Sequence, residues 1–124
     1  MKLRIRGNSV RIRVSKSEVA QIEASGFAED VVRFSPRSAL RYRVEVKASG
    51  PAAAEFDGSQ LRVALPKKAV ARWLGPNEVS IEAEQDVGDG VLKILVEKDY
   101  ACLAPRDSED DSDLFDHPLQ PETQ

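Results

Sequence analysis

The chain has one cysteine, one histidine and few aromatic residues, and each scarcity excludes something. Cys102 has no second cysteine to bridge to, which suits a reducing compartment. Structural zinc takes four ligands in paired spacings, so Cys102 with His117 falls short of a zinc site. Nothing in the sequence supplies Cys102 with a base, and it reads as a small buried hydrophobe. His117, between Asp116 and Pro118, reads as solvated. No apolar run approaches the roughly 18–20 residues of a membrane helix. The first six residues alternate charge with hydrophobe, unlike a signal peptide. These absences point to the cytoplasm and away from membranes. Aromatics make up 6% of the chain, and Phe34 and Tyr42 fall at core positions. A stacking platform for bases is therefore missing, and with a net charge of −3 nucleic acid is disfavoured as a partner.

What the chain does carry is hydrophobic periodicity and charge. At 41% hydrophobic and 31% charged, its 124 residues suit one globular domain with a modest core. Residues 1–50 hold 11 Lys+Arg against 5 Asp+Glu, whereas residues 51–124 hold 7 against 16. Seven acids and no Lys or Arg occupy residues 107–124, an acidic tail following a domain at 1–106. The tail is expected to be flexible. Alternatively it lies across the body's basic surface, or docks on a partner, with Leu114 and Phe115 as anchor.

A shift of 51 residues overlays Gly7–Val14 on Gly58–Leu65 and Lys16, Val19 and Ala20 on Lys67, Val70 and Ala71. The same shift carries Leu40–Val44 onto Val91–Leu95, which suggests internal duplication, with units at about 2–47 and 53–98. Each unit reads strand–strand–helix–strand–strand. Residues 2–6 and 9–14 alternate around Gly7-Asn8, a hairpin signal. Ser15 and Glu18 form a capping box, and Gly26 stops the helix. Strands follow near 31–34 and 39–47. In the second unit, strands lie near 53–56 and 60–65, Pro66 opens the helix, Gly75-Pro76 ends it, and strands near 78–84 and 91–97 complete the unit. The expected fold class is α+β: a tandem ββαββ repeat making an eight-stranded, mostly antiparallel sheet or barrel, with two short helices on one face. No strand–helix–strand spacing calls for parallel pairing.

Parity then assigns faces. One parity, including Ile5, Val10, Ile12, Val32, Phe34, Tyr42, Val44, Phe56, Val63 and Val79, is the expected core beneath Ile22, Val70 and Trp73. The other collects Lys2, Arg4, Arg6, Arg11, Arg13, Arg33, Arg41, Arg43, Lys47, Arg62 and Lys93, with Glu45, Glu55, Glu82, Glu84 and Glu97. A solvated face laced with ion pairs, each contributing about 0.2–1 kcal/mol, accounts for such a surface. Arginine at this density also suits bidentate capture of phosphate or carboxylate. The candidate anion-binding residues are Arg4, Arg6, Arg11, Arg13, Arg33, Arg41, Arg43 and Arg62. The leading expectation is a non-enzymatic module for an anionic small molecule or an acidic protein segment, its own tail included.

The charged face of an eight-stranded sheet is similar, in fold and charge alone, to the CYTH-type triphosphate tunnel proteins. That resemblance implies the alternative of a metal-dependent triphosphate hydrolase, with Mg²⁺ or Mn²⁺ held by Glu82, Glu84 and Glu97. The E-x-E-x-K signature of those proteins is missing, since the first strand reads Lys2-x-Arg4-x-Arg6 and Glu82-x-Glu84 lacks the following lysine. A longer resemblance rests on Lys2-Leu3-Arg4-Ile5-Arg6-Gly7-Asn8-Ser9-Val10-Arg11, on Glu97-Lys98-Asp99-Tyr100-Ala101-Cys102-Leu103-Ala104-Pro105-Arg106, and on the acidic run through Asp113, Phe115 and Pro118. Through these the chain resembles a family of short bacterial proteins of unassigned function. That likeness implies bacterial origin and a complete single domain, and brings no activity.

Overall fold

The computed structural model describes residues 1–100. Eight strands and two helices follow in the order β1 (Lys2–Ile5), β2 (Ser9–Val14), α1 (Lys16–Ser25), β3 (Phe27–Ser35), β4 (Ser38–Lys47), β5 (Ala53–Phe56), β6 (Gln60–Pro66), α2 (Lys67–Trp73), β7 (Ser80–Asp86) and β8 (Val91–Lys98). The α+β class and the strand–strand–helix–strand–strand order of each half are as the sequence implies.

The strands form two open sheets of four rather than one sheet of eight or a barrel. Sheet A has the order β1-β2-β8-β7 and sheet B the order β3-β4-β6-β5. Each half of the chain therefore gives one hairpin to each sheet. The hairpin pairs are antiparallel, but the central pairs β2 with β8 and β4 with β6 run parallel. The expectation of no parallel pairing fails because each central strand takes its neighbour from the other half of the chain. Spacing within one half is blind to that choice.

The correspondence between halves also needs two registers. Val10 lies beside Ile94 and Leu61 beside Tyr42. Val10 and Leu61 are 51 apart, whereas Tyr42 and Ile94, both buried, are 52 apart. The single shift of 51 would have set buried Tyr42 on Lys93, which is exposed.

Both sheets turn their apolar parity onto one shared core. Val10, Ile12, Val14, Ile94 and Val96 come from sheet A, and Tyr42, Val44, Ala54, Leu61, Val63 and Leu65 from sheet B. The sheets thus cover each other, and the helices are not a lid over one sheet face. Helix α1 packs on β3 and β4 and inserts Ile22; α2 packs on β6 and β7 and inserts Val70 and Trp73. Trp73 is fully buried, and its Nε1–H donates to Val79 O at 3.1 Å, so the one polar atom of the indole is satisfied.

Local chemistry fixes where the helices begin and end. The Ser15 hydroxyl accepts from the Glu18 N–H, and the Glu18 carboxylate accepts from the Ser15 N–H at 2.8 Å. Gly26 closes α1 at φ 89°, a conformation that favours glycine, and its N–H donates to Ile22 O. Pro66 is the N-cap of α2 rather than its first helical residue.

All four hairpin turns lie at the end of the sheets opposite the helices, as the strand directions require. There the core opens into an apolar mouth of about 300 Å³ lined by Leu3, Ile5, Val10, Leu40, Phe56 and Leu92 among others. Ile5 and Phe56, both expected in the core, are each 64% exposed at this mouth. Phe34, Val32 and Val79 are likewise exposed. Val32 and Phe34 keep the expected parity near the β3–β4 turn, where the strand end has no cover, whereas Val79 precedes β7 rather than lying in it. Cys102, His117, Leu114, Phe115 and the acidic tail lie outside the described residues.

Candidate functional site

The apolar parities face each other, so the ionic parities point away on two separate surfaces. The single arginine-rich face expected from parity does not form. Arg4, Arg11 and Arg13 lie on sheet A, with Arg6 just past β1, while Arg33, Arg41, Arg43 and Arg62 lie on sheet B. Parity within a strand was sufficient to set inside from outside; it carried no information about which sheet a strand joins.

On sheet B, Arg41, Arg43 and Arg62 are met by carboxylates. Arg43 Nε donates to Glu45 Oε1 at 3.0 Å, and Arg43 also lies 3.6 Å from Glu29. Glu29 further meets Arg41 at 3.8 Å and accepts from the Gln60 side chain at 3.1 Å. Arg62 donates to Glu55 at 3.0 Å. The Arg43 guanidinium sits 3.8 Å above the Phe27 ring, a cation–π contact that also shields the ring from water. The row Glu29–Arg43–Arg62–Glu55, one residue per strand, sets two neighbouring arginines between two carboxylates. This is the ion-paired lattice that the sequence allowed.

Sheet A is arranged differently, with charge graded from one edge to the other. Residues 1–14, which contain the β1–β2 hairpin, carry five basic residues and no acid, whereas β7 carries three acids and no base. Register places Arg4 beside Arg11, and then Leu95 and Glu82, in one row across the face. Between the basic and acidic edges lies a cleft of about 630 Å³ lined by Ser9, Arg11, Lys93, Leu95, Glu82 and Glu84 among others.

Glu97 reaches the basic side from β8. Its Oε1 accepts from Arg11 Nε at 2.9 Å and from Arg13 Nε at 2.6 Å. Partial burial pushes its carboxyl pKa up, but the bonds from Arg13 and Arg11 outweigh that and hold it below the ordinary value. Glu97 is therefore an internal counter-ion for two arginines, a role the sequence reading missed by assigning it to a metal. Register puts Glu97 beside Arg13 in β2, which only the non-local pairing with β8 could disclose.

Glu82, Glu84 and Glu97 do not assemble as a metal site. Their register partners across the β7–β8 pair are Leu95, Lys93 and Ser80, and Glu97 is taken by arginine. Among the described residues no group of three or more His, Cys, Asp or Glu is placed to hold a metal ion. No helix among these residues is long and apolar enough to cross a membrane.

Fold and surface together define a two-sheet α+β protein with one ion-paired face and one charge-graded face. The chain belongs to a family whose model, described as "Family of unknown function (DUF7009)", matches residues 1–119. No curated protein and no solved structure matches it significantly.

Proposed function

We propose that the protein is a non-enzymatic binding module that takes an anionic ligand of the phosphate or carboxylate class on the basic side of sheet A. Arg4, Arg6, Arg11 and Arg13 are the residues for this role; Arg41, Arg43 and Arg62 serve the ion-paired lattice of sheet B instead, and Arg33 lies on that same sheet. The observation that carries the reading is the Glu97 carboxylate gripped by Arg11 and Arg13 beside an open cleft. Two guanidinium groups converging on one carboxylate oxygen form the arrangement that would grip a phosphoryl or carboxyl oxygen. The surrounding hairpin adds cations without adding acids, so an incoming anion meets a positive local field. The two halves are read as products of internal duplication, the protein as bacterial and cytoplasmic, and nucleic acid as a poor partner for a chain of net charge −3.

Tripolyphosphate, used with and without Mg²⁺ or Mn²⁺ in a thermal-shift series and a phosphate-release assay, tests the proposal. Salt-sensitive stabilisation without turnover is expected. Absence of stabilisation at low ionic strength would end the binding reading, and metal-dependent turnover would replace it with the hydrolase.

A further inference from the structure

We infer that the outer edge of β3 is a self-association surface, on which a second copy of this chain pairs its own β3 antiparallel about Val31. β3 is an edge strand of sheet B and, at nine residues, the longest edge among the described residues. Its ladder to β4 shows which backbone groups are unused. Val46 N–H donates to Gly26 O, and the residue pairs that follow fix Ala28, Asp30 and Val32 as the ones bonded to β4. Phe27, Glu29, Val31 and Arg33 therefore aim their N–H and C=O groups away from the sheet. The one side-chain bond to these groups agrees: Val31 N–H donates to Asp30 Oδ1 at 2.9 Å, a local cap on an outward donor.

An edge with free donors and acceptors is a template for another strand. The residues of β3 suit a copy of themselves. An antiparallel pair centred on Val31 sets Val31 opposite Val31 and Glu29 opposite Arg33 of the second copy, in both directions at once, as a two-fold contact requires. All of these are outward-bonding positions, so register and hydrogen-bond phase agree. Around the centre, Val31, Val32 and Phe34 are 37%, 40% and 69% exposed, so the strand also brings apolar surface to cover. Pairing displaces the Asp30 cap from Val31, and Asp30 then keeps its approach to the Tyr42 hydroxyl, 3.5 Å from Oδ2.

The other edges do not offer this. β1 and β5 have four residues each, and the Gln85 amide holds both the N–H and C=O of Ala54 on β5, at 2.7 and 3.0 Å. β7 carries Glu82, Glu84 and Asp86 on one parity, so two copies would set acid against acid.

Sedimentation equilibrium of the full chain tests the inference, with Val31→Pro and Arg33→Glu as variants. Val31→Pro removes an outward donor that the β4 ladder does not use, and Arg33→Glu turns both cross-copy pairs into repulsions. The expected result is a wild-type mass of twice 13.7 kDa that falls to the monomer value in either variant. A monomeric wild type overturns the inference, and so does a dimer that both variants retain. Should circular dichroism show Val31→Pro unfolded, Arg33→Glu decides alone, since Arg33 projects from the exposed tip of the hairpin. Amide exchange at Val31 and Arg33 that slows with protein concentration supports the edge; exchange independent of concentration overturns it.

Discussion

Replacing Glu97 by glutamine separates the two roles given to the arginines of sheet A, because it weakens the fold and frees the binding groups together. The carboxylate accepts two charge-assisted hydrogen bonds, each of which contributes about 1.5–3 kcal/mol where its ends are out of water. Arg11 and Arg13 retain side-chain exposures of 30% and 21%. Water therefore recovers part of the loss, and about 2 kcal/mol is the reasonable total for the two bonds. For a domain of this size that lowers Tm by about 8 °C at neutral pH. The pH dependence has a fixed sign. Because the folded state lowers the Glu97 pKa, its contribution is fully present above the unfolded value of about 4.3 and is lost as pH falls through the folded value. The gap between wild type and Glu97→Gln should close in acid. In the same variant Arg11 and Arg13 lose their internal anion, so stabilisation by tripolyphosphate should exceed that of wild type. Differential scanning calorimetry across pH, with and without tripolyphosphate, measures all three effects. A Tm change under about 2 °C, or a gap that persists well below the carboxylate range, would refute the reasoning.

Two further outcomes follow from the core and the first helix. Trp73→Phe keeps most of the buried ring but removes one of the two donors to Val79 O, the Lys98 N–H remaining, and opens a small void; urea denaturation should register a loss of about 2 kcal/mol. Ser15→Ala removes the acceptor for the Glu18 N–H and should cost about 1 kcal/mol by the same measurement, with Ser15→Asp retaining most of the stability.

Much of the fold was legible because its signals are local. The capping box at Ser15, the stop at Gly26 and the alternation through Val10, Ile12 and Val14 each depend on neighbours a few residues away. β3 was legible only in part. Glu29 and Asp30 broke the apolar pattern and hid the first half of the strand. In the structure Glu29 faces outward to Arg41 and Arg43, and Asp30 caps the strand's own backbone. The division into two sheets was illegible for a stronger reason. Alternation says which side chains leave the core, but Val10 pairing with Ile94 is a choice among strands far apart in the chain. That choice placed Arg41, Arg43 and Arg62 on one surface and Arg11 and Arg13 on another. It also set Glu97 between the latter two.

Anion binding on sheet A, as against sheet B, is tested most directly by comparing two double variants in one tripolyphosphate titration at low salt. Arg11→Ala with Arg13→Ala should abolish the rise in Tm, while Arg41→Ala with Arg62→Ala should leave it in place. Equal losses in both variants, or a response kept when Arg11 and Arg13 are gone, would contradict the account.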